Sequence, residues 1–159
     1  MRFLGLAACL LALSTPSSAR VKLQQPAPAF TLKTYAGKSV SLKDYKKQWV
    51  VLAFWWSNST NPERYLKFLE TIHTTYAKRG LVVIAINYDR SRGWGYRIWN
   101  KTKPSFVGLH DADNDVFDKY SIRMGGAVLL NPSHTVVHVT TSASKTLRSE
   151  LDKHLGAAK

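Results

Sequence analysis

Apolar residues run without a break from Val50 to Trp56 (VVLAFWW), then give way to a short polar stretch, Ser57 to Asn61. A segment from Pro62 to Gly80 follows, in which the apolar positions are spaced differently. The first run reads as a buried strand, and in the second segment Tyr65, Leu69, Ile72 and Tyr76 recur at helical spacing. One face of that helix is therefore apolar and packs on a sheet. Ser59 or Thr60 is placed to cap it, Pro62 suits the first helical position, Glu63 suits the positive end of the helix dipole, and Gly80 is the stop. Leu81 to Ile86 is a second continuous run, rich in β-branched residues, as in a strand covered on both faces. Strand, helix and strand in that order predict a parallel βαβ core. Phe30 to Leu42 alternates apolar and polar residues, which predicts an edge hairpin turning at Ala36-Gly37. Val128–Leu130 and Val136–Val139, joined through Asn131-Pro132-Ser133, predict another, and Ser144 to Leu155 a closing helix.

The first residues follow a different pattern. Met1 to Ala19 carries one basic residue, an apolar run from Phe3 to Leu13, and small residues ending Ser17-Ser18-Ala19. The run is too short to cross a bilayer, so 1–19 is expected to be a signal peptide and 20–159 one domain. Leu6-Ala7-Ala8-Cys9 also superficially fits a lipoprotein cleavage box, which would anchor the chain through Cys9. Cys9 is the single cysteine. Cleavage before Arg20 leaves an exported, periplasmic or secreted chain with neither a disulfide nor a thiol.

The turn between the Val50 strand and the Pro62 helix resembles the active-site loop of the TlpA/ResA-like branch of the thioredoxin superfamily, the redoxin or alkyl hydroperoxide reductase/thiol-specific antioxidant group. There Phe-Trp-Ala leads through Trp-Cys-x-x-Cys into a helix. Phe54 and Trp55 match, Trp56 replaces the small residue, Asn58 replaces the tryptophan, Ser59 stands at the first cysteine and Pro62 at the second. The flanks are similar as well: Ala27 to Tyr45 to the family's opening hairpin, Gly80 to Asp89 to its second central strand, and Leu109 to Arg123 to its loop and short helix. Before the last hairpin the family has a cis-proline, and counting back from Asn131 puts Gly125 or Gly126 at that place. A cis bond before a residue other than proline costs about 2.5 to 4 kcal/mol, so neither glycine is expected to keep that geometry. The resemblance implies an α/β thioredoxin-like fold, a central mixed β-sheet flanked by helices with an N-terminal β-hairpin. It also implies thiol chemistry, for which the residues are absent.

Disulfide exchange and peroxide reduction both begin with a thiolate, and neither Ser59 nor Pro62 supplies one. A serine nucleophile needs a base and an oxyanion hole, and no histidine lies near Ser59 in sequence. No catalytic residue, cofactor or metal is therefore assigned. Asp111-Ala112-Asp113-Asn114-Asp115 with Asp118 suggests a calcium loop at first sight. The EF-hand pattern, however, wants glycine and glutamate where Val116 and Ile122 stand, and the family's acidic turn capping a short helix is the competing reading.

Composition adds one further feature. In a chain of 159 residues with 45% hydrophobic content, 23 lysines and arginines face 10 acidic residues, a formal net charge of +13. Such a charge attracts polyanions. It is densest in Arg90, Arg92, Arg97, Lys101 and Lys103, interleaved with Trp94, Tyr96 and Trp99. Those residues read either as a second helix with Ile98 and one tryptophan inward and the charges in water, or as a surface for an anionic or sugar ligand. The expected partner is an unknown protein or an anionic surface, an acidic polymer or anionic lipid; export disfavours nucleic acid, and no nucleic-acid module is present. Two functions stay open. One is an exported, redox-inactive thioredoxin-like binding or accessory module. The other is a thiol-disulfide oxidoreductase or peroxiredoxin-type antioxidant, as the fold alone suggests.

Overall fold

The computed structural model describes residues 21–122, 125–141 and 146–157. The expected leader with Cys9, and Ser144 at the start of the expected closing helix, lie outside them. The first hairpin is β1 (Thr31–Thr34) and β2 (Ser39–Ser41), followed by β3 (Trp49–Trp55), α1 (Pro62–Tyr76), β4 (Leu81–Asn87) and α2 (Arg92–Thr102). Next come β5 (Val107–His110), α3 (Asp115–Tyr120), β6 (Ala127–Leu130), β7 (Val136–Thr140) and α4 (Thr146–Leu155). Among the described residues the strands form one seven-stranded sheet in the order β2-β1-β5-β4-β3-β6-β7. β3, β4 and β5 run parallel, whereas β6 and β1 join them antiparallel. The sheet is mixed, as the resemblance implied.

β3 sits near the middle and is buried on both faces, so its side chains divide by parity. Val51, Ala53 and Trp55 join Leu66, Leu69, Ile72 and Tyr76 of α1 and Leu147 and Leu151 of α4 in one apolar cluster. Val50, Leu52 and Phe54 face the other way, into a cluster with Val116 and Tyr120 of α3 and Phe30 of the lead-in. This double burial explains why the strand reads as an unbroken apolar run. Each such aliphatic side chain contributes about 1.5 to 3 kcal/mol through removal from water.

One expectation about α1 needs correction. Its cap is Asn61, whose side chain accepts from the Arg64 N–H at 3.0 Å, and neither Ser59 nor Thr60 takes that role. Leu66 joins Leu69, Ile72 and Tyr76 as fully buried, and Tyr65 packs partly buried against the same cluster while its hydroxyl donates to the Gly126 carbonyl. Past Tyr76 the chain tightens into one 3-10 turn and stops at Gly80, which takes a φ of 80°.

β5 is a strand that the hydrophobic pattern does not announce. It is four residues long and contains a glycine, and it exists because β4 and β1 pair with it on either side. Gly108 is required there: a Cβ at this position would lie 2.4 Å from the Trp99 ring.

Candidate functional site

β3 and β4 are parallel neighbours, so the segments leaving their C-terminal ends emerge side by side. Ser57 to Asn61 follows β3 and enters α1; Tyr88 to Ser91 follows β4 and enters α2. The buried Asp89 joins the two, accepting the Ser57 N–H at 3.1 Å with either carboxylate oxygen and the Asn87 side-chain amide at 2.8 Å. Asn87 in turn donates to the Trp55 carbonyl at 3.3 Å. Behind the turn Trp56 lies parallel to Tyr88, and Tyr88 stacks on Phe117 with ring centroids 4.2 Å apart. Burial and the Asp89 charge push the Tyr88 phenol up to about 12. Because the turn is pinned at its backbone and packed beneath, its shape does not depend on its exposed side chains. Nothing in the sequence marked Asp89 for this task except its place just after β4.

Ser59 lies within the turn, half-buried, and Pro62 is the first residue of α1. The Ser59 hydroxyl has no hydrogen-bond partner among the described residues. The carboxylate reaching the turn is already committed to a backbone N–H, so no base is positioned to activate a serine. The Gly125–Gly126 peptide is trans and Gly125 has a φ of 71°. The Gly126 carbonyl accepts from the Phe54 N–H at 3.0 Å and the Tyr65 hydroxyl at 3.2 Å. This segment therefore abuts the end of β3 and the first turns of α1, and the Tyr65 phenol, buried against it, is pushed well above its ordinary value.

The acidic segment caps a helix. Asp111 is buried and accepts from the N–H groups of Val116 and Phe117 at 3.1 and 2.8 Å, in the first turn of α3. Burial pushes its carboxyl up, and the two N–H donors pull it part of the way back. Among the described residues no group of three or more His, Cys, Asp and Glu side chains is gathered to hold a metal ion.

The basic aromatic segment forms α2, and the structure divides it in two. On one side Trp99 packs between Tyr35, Trp55 and Phe106, Tyr96 tilts against Tyr35, and Arg92 donates to the Tyr35 carbonyl while lying over the Tyr96 ring. Arg92 is thus partly a structural residue. On the other side Lys101 pairs with Glu63 of α1 at 2.8 Å, and Ile98 packs on the core. Trp94, Arg97 and Ile98 meet Ser57 and Asn58 across a cleft of about 450 Å³. The turn and the basic segment, separate features of the sequence, share one site. Arg90 and Lys103 are exposed near the two ends of α2 and do not line it.

A mixed sheet with helices on both faces, the turn at the tip of β3 and the Gly125–Gly126 segment beside it define a thioredoxin-like fold. Solved structures agree. The thioredoxin domain of a thiol-disulfide oxidoreductase from Bacteroides vulgatus superposes with a TM-score of 0.76 at 21% identity, covering 85% of this chain and 99% of that one. A secreted Mycobacterium tuberculosis disulfide oxidoreductase gives 0.66 at 18%, covering 79% and 93%. Residues 23–141 match the AhpC/TSA family, and the chain belongs to it. Among curated relatives, the thiol-disulfide oxidoreductase ResA of Halalkalibacterium halodurans is 27% identical over 113 residues, 70% of this chain and 64% of that protein. The thioredoxin-like protein YneN of Bacillus subtilis is 28% identical over 140 residues, covering 80% and 78%. This chain spans less than two thirds of the length of the first ResA relatives it matches.

Proposed function

We propose that this protein is an exported thioredoxin-fold module that binds a partner at the turn after β3 and carries out no thiol exchange of its own. The observation carrying this reading is the occupancy of the reactive-pair positions by Ser59 and Pro62, in a chain whose one cysteine, Cys9, lies in the expected leader. Exchange requires a thiolate that attacks a disulfide sulfur, and a hydroxyl with a pKa far above neutrality does not replace it. Export rests on the leader-like first residues; no described helix is long and apolar enough to cross a membrane.

The family match and the names of the relatives favour a second reading, thiol-disulfide exchange. One assay separates the two. Purified protein lacking residues 1–19 is given insulin with a dithiol, and a peroxide with a thiol donor. No turnover above the protein-free control is expected, and reproducible thiol-dependent turnover overturns the binding-module reading. Mass spectrometry of the exported protein checks the leader: a chain beginning at or near Arg20 is expected, and a lipid-modified Cys9 at the N-terminus would replace it with a membrane-anchored form.

A further inference from the structure

The cleft beside the turn has a composition that stability does not explain. Trp94 is 55% exposed, although the other tryptophan of α2, Trp99, is partly buried and packs against the core. From Arg90 to His110 the chain has no carboxylate. The two carboxylates that α1 turns toward this side are already engaged, Glu63 by Lys101 and Glu70 by the Ser105 backbone and hydroxyl. Asp89, the carboxylate behind Ser57, is buried and held by the Ser57 N–H and the Asn87 amide, and Arg97 has no hydrogen-bond or ion-pair partner among the described residues. Across from it Ser57 and Asn58 line the wall, with a hydroxyl and an amide that no described residue uses.

We propose that this cleft binds an acidic sugar, a pyranose unit bearing a carboxylate within an anionic polysaccharide. A pyranose has an apolar C–H face, a rim of hydroxyls and, when oxidised at C6, one carboxylate. The Trp94 ring offers a flat apolar plate beside Ile98, the Arg97 fork matches a carboxylate in two parallel hydrogen bonds, and Asn58 and Ser57 donate to and accept from hydroxyls. At about 450 Å³ the space falls in the range of small-molecule sites. A flat lipid surface does not enter a concave cleft, and an acidic peptide would use Arg97 while leaving the polar wall without a role. The high net positive charge adds a long-range attraction for a polyanion that salt screens.

The proposal rests on the turn serving binding rather than exchange. Its test is titration calorimetry of the purified protein with an oligogalacturonate, a neutral dextran oligosaccharide of equal length, and poly-glutamate. Binding of the oligogalacturonate is expected, with dextran and poly-glutamate at least about tenfold weaker. Trp94→Ala and Arg97→Gln should each weaken it by about tenfold or more, given typical contributions of stacking and of charge-assisted bonds. Trp94→Phe should recover most of the loss. The double variant Lys43→Gln/Lys46→Gln, which removes more charge at exposed positions away from the cleft, should change it by less than about threefold. No binding of the oligogalacturonate, equal binding of poly-glutamate, or an equal loss in the lysine variant overturns the proposal. Such a failure with insulin reduction still absent removes the sugar alone; a failure together with insulin reduction removes both readings.

Discussion

α1 and α2 leave the ends of adjacent parallel strands and pack on the same face of the sheet, yet they are helices for different reasons. α1 has a side-chain cap in Asn61, proline at its first position, an apolar stripe of Leu66, Leu69, Ile72 and Tyr76, and Gly80 closing the tight turn that follows. Each is a local instruction. α2 has no side-chain cap, two glycines in its first turns, and two aromatic residues in water. It is held from outside: Gly95 lies against the fully buried Asn87, Trp99 covers Gly108, and Arg92 reaches the Tyr35 carbonyl. Where a helix depends on local signals, its residues are accounted for by folding. Where tertiary contacts hold it, the residues that make none of those contacts, here Trp94 and Arg97, are not accounted for by folding.

Gly95→Ala puts this contrast under the greatest strain. On propensity alone alanine gains about 1 kcal/mol in a helix. At this position a Cβ would stand 2.4 Å from the Asn87 side-chain oxygen, and Asn87 cannot swing away because its amide bonds Asp89 and the Trp55 carbonyl. The variant should lose about 1 to 3 kcal/mol in chemical denaturation, as overpacked sites do. A stabilised variant would mean that α2 obeys local rules after all.

A smaller effect is expected at the local end of the comparison. Asn61→Ala removes the cap of α1 and should cost about 1 kcal/mol, with Asn61→Asp close to wild type. Equal stability of Asn61→Ala and wild type would show that packing alone holds α1.

The smallest effect at neutral pH belongs to Tyr88, on the segment joining β4 to α2. Its folded pKa, raised to about 12 from 10.0, means that the native state holds the phenolic proton more tightly than the unfolded chain does. The stability attached to that proton is intact below pH 10 and is lost as pH rises through about 12. Tyr88→Phe has no proton to lose, so its alkaline unfolding midpoint should lie above that of the wild type, with little difference at pH 7. A midpoint that stays put would mean that deprotonation of Tyr88 does not drive alkaline unfolding.

The legible parts of the chain were those governed by local rules. The apolar runs of β3 and β4, the periodicity of α1 and the second hairpin needed only side-chain spacing and turn residues. The resemblance in the turn was equally plain, since Phe54 and Trp55 keep their places ahead of the two positions, Ser59 and Pro62, where the thiols are missing. The α1 cap was misplaced by one or two residues because Ser59, Thr60 and Asn61 are all competent caps, and backbone geometry chooses among them. β5 went unseen because four residues with a glycine carry no period; only pairing on both sides makes them a strand.

The sequence by itself determined the class of fold, the absence of thiols at the turn and the excess of positive charge, because each depends on residue type and order along the chain. Tertiary structure decided which of the basic and aromatic residues are available. Arg92 and Arg97 are equivalent as letters, but the first is drawn onto the Tyr35 carbonyl while the second faces Ser57 and Asn58 across an open cleft. That difference arises from the parallel pairing of β3 with β4, which brings their C-terminal ends together, and from Gly95 and Gly108, which set how α2 lies on the sheet. No local pattern encodes such an arrangement, since it exists only once distant segments have packed.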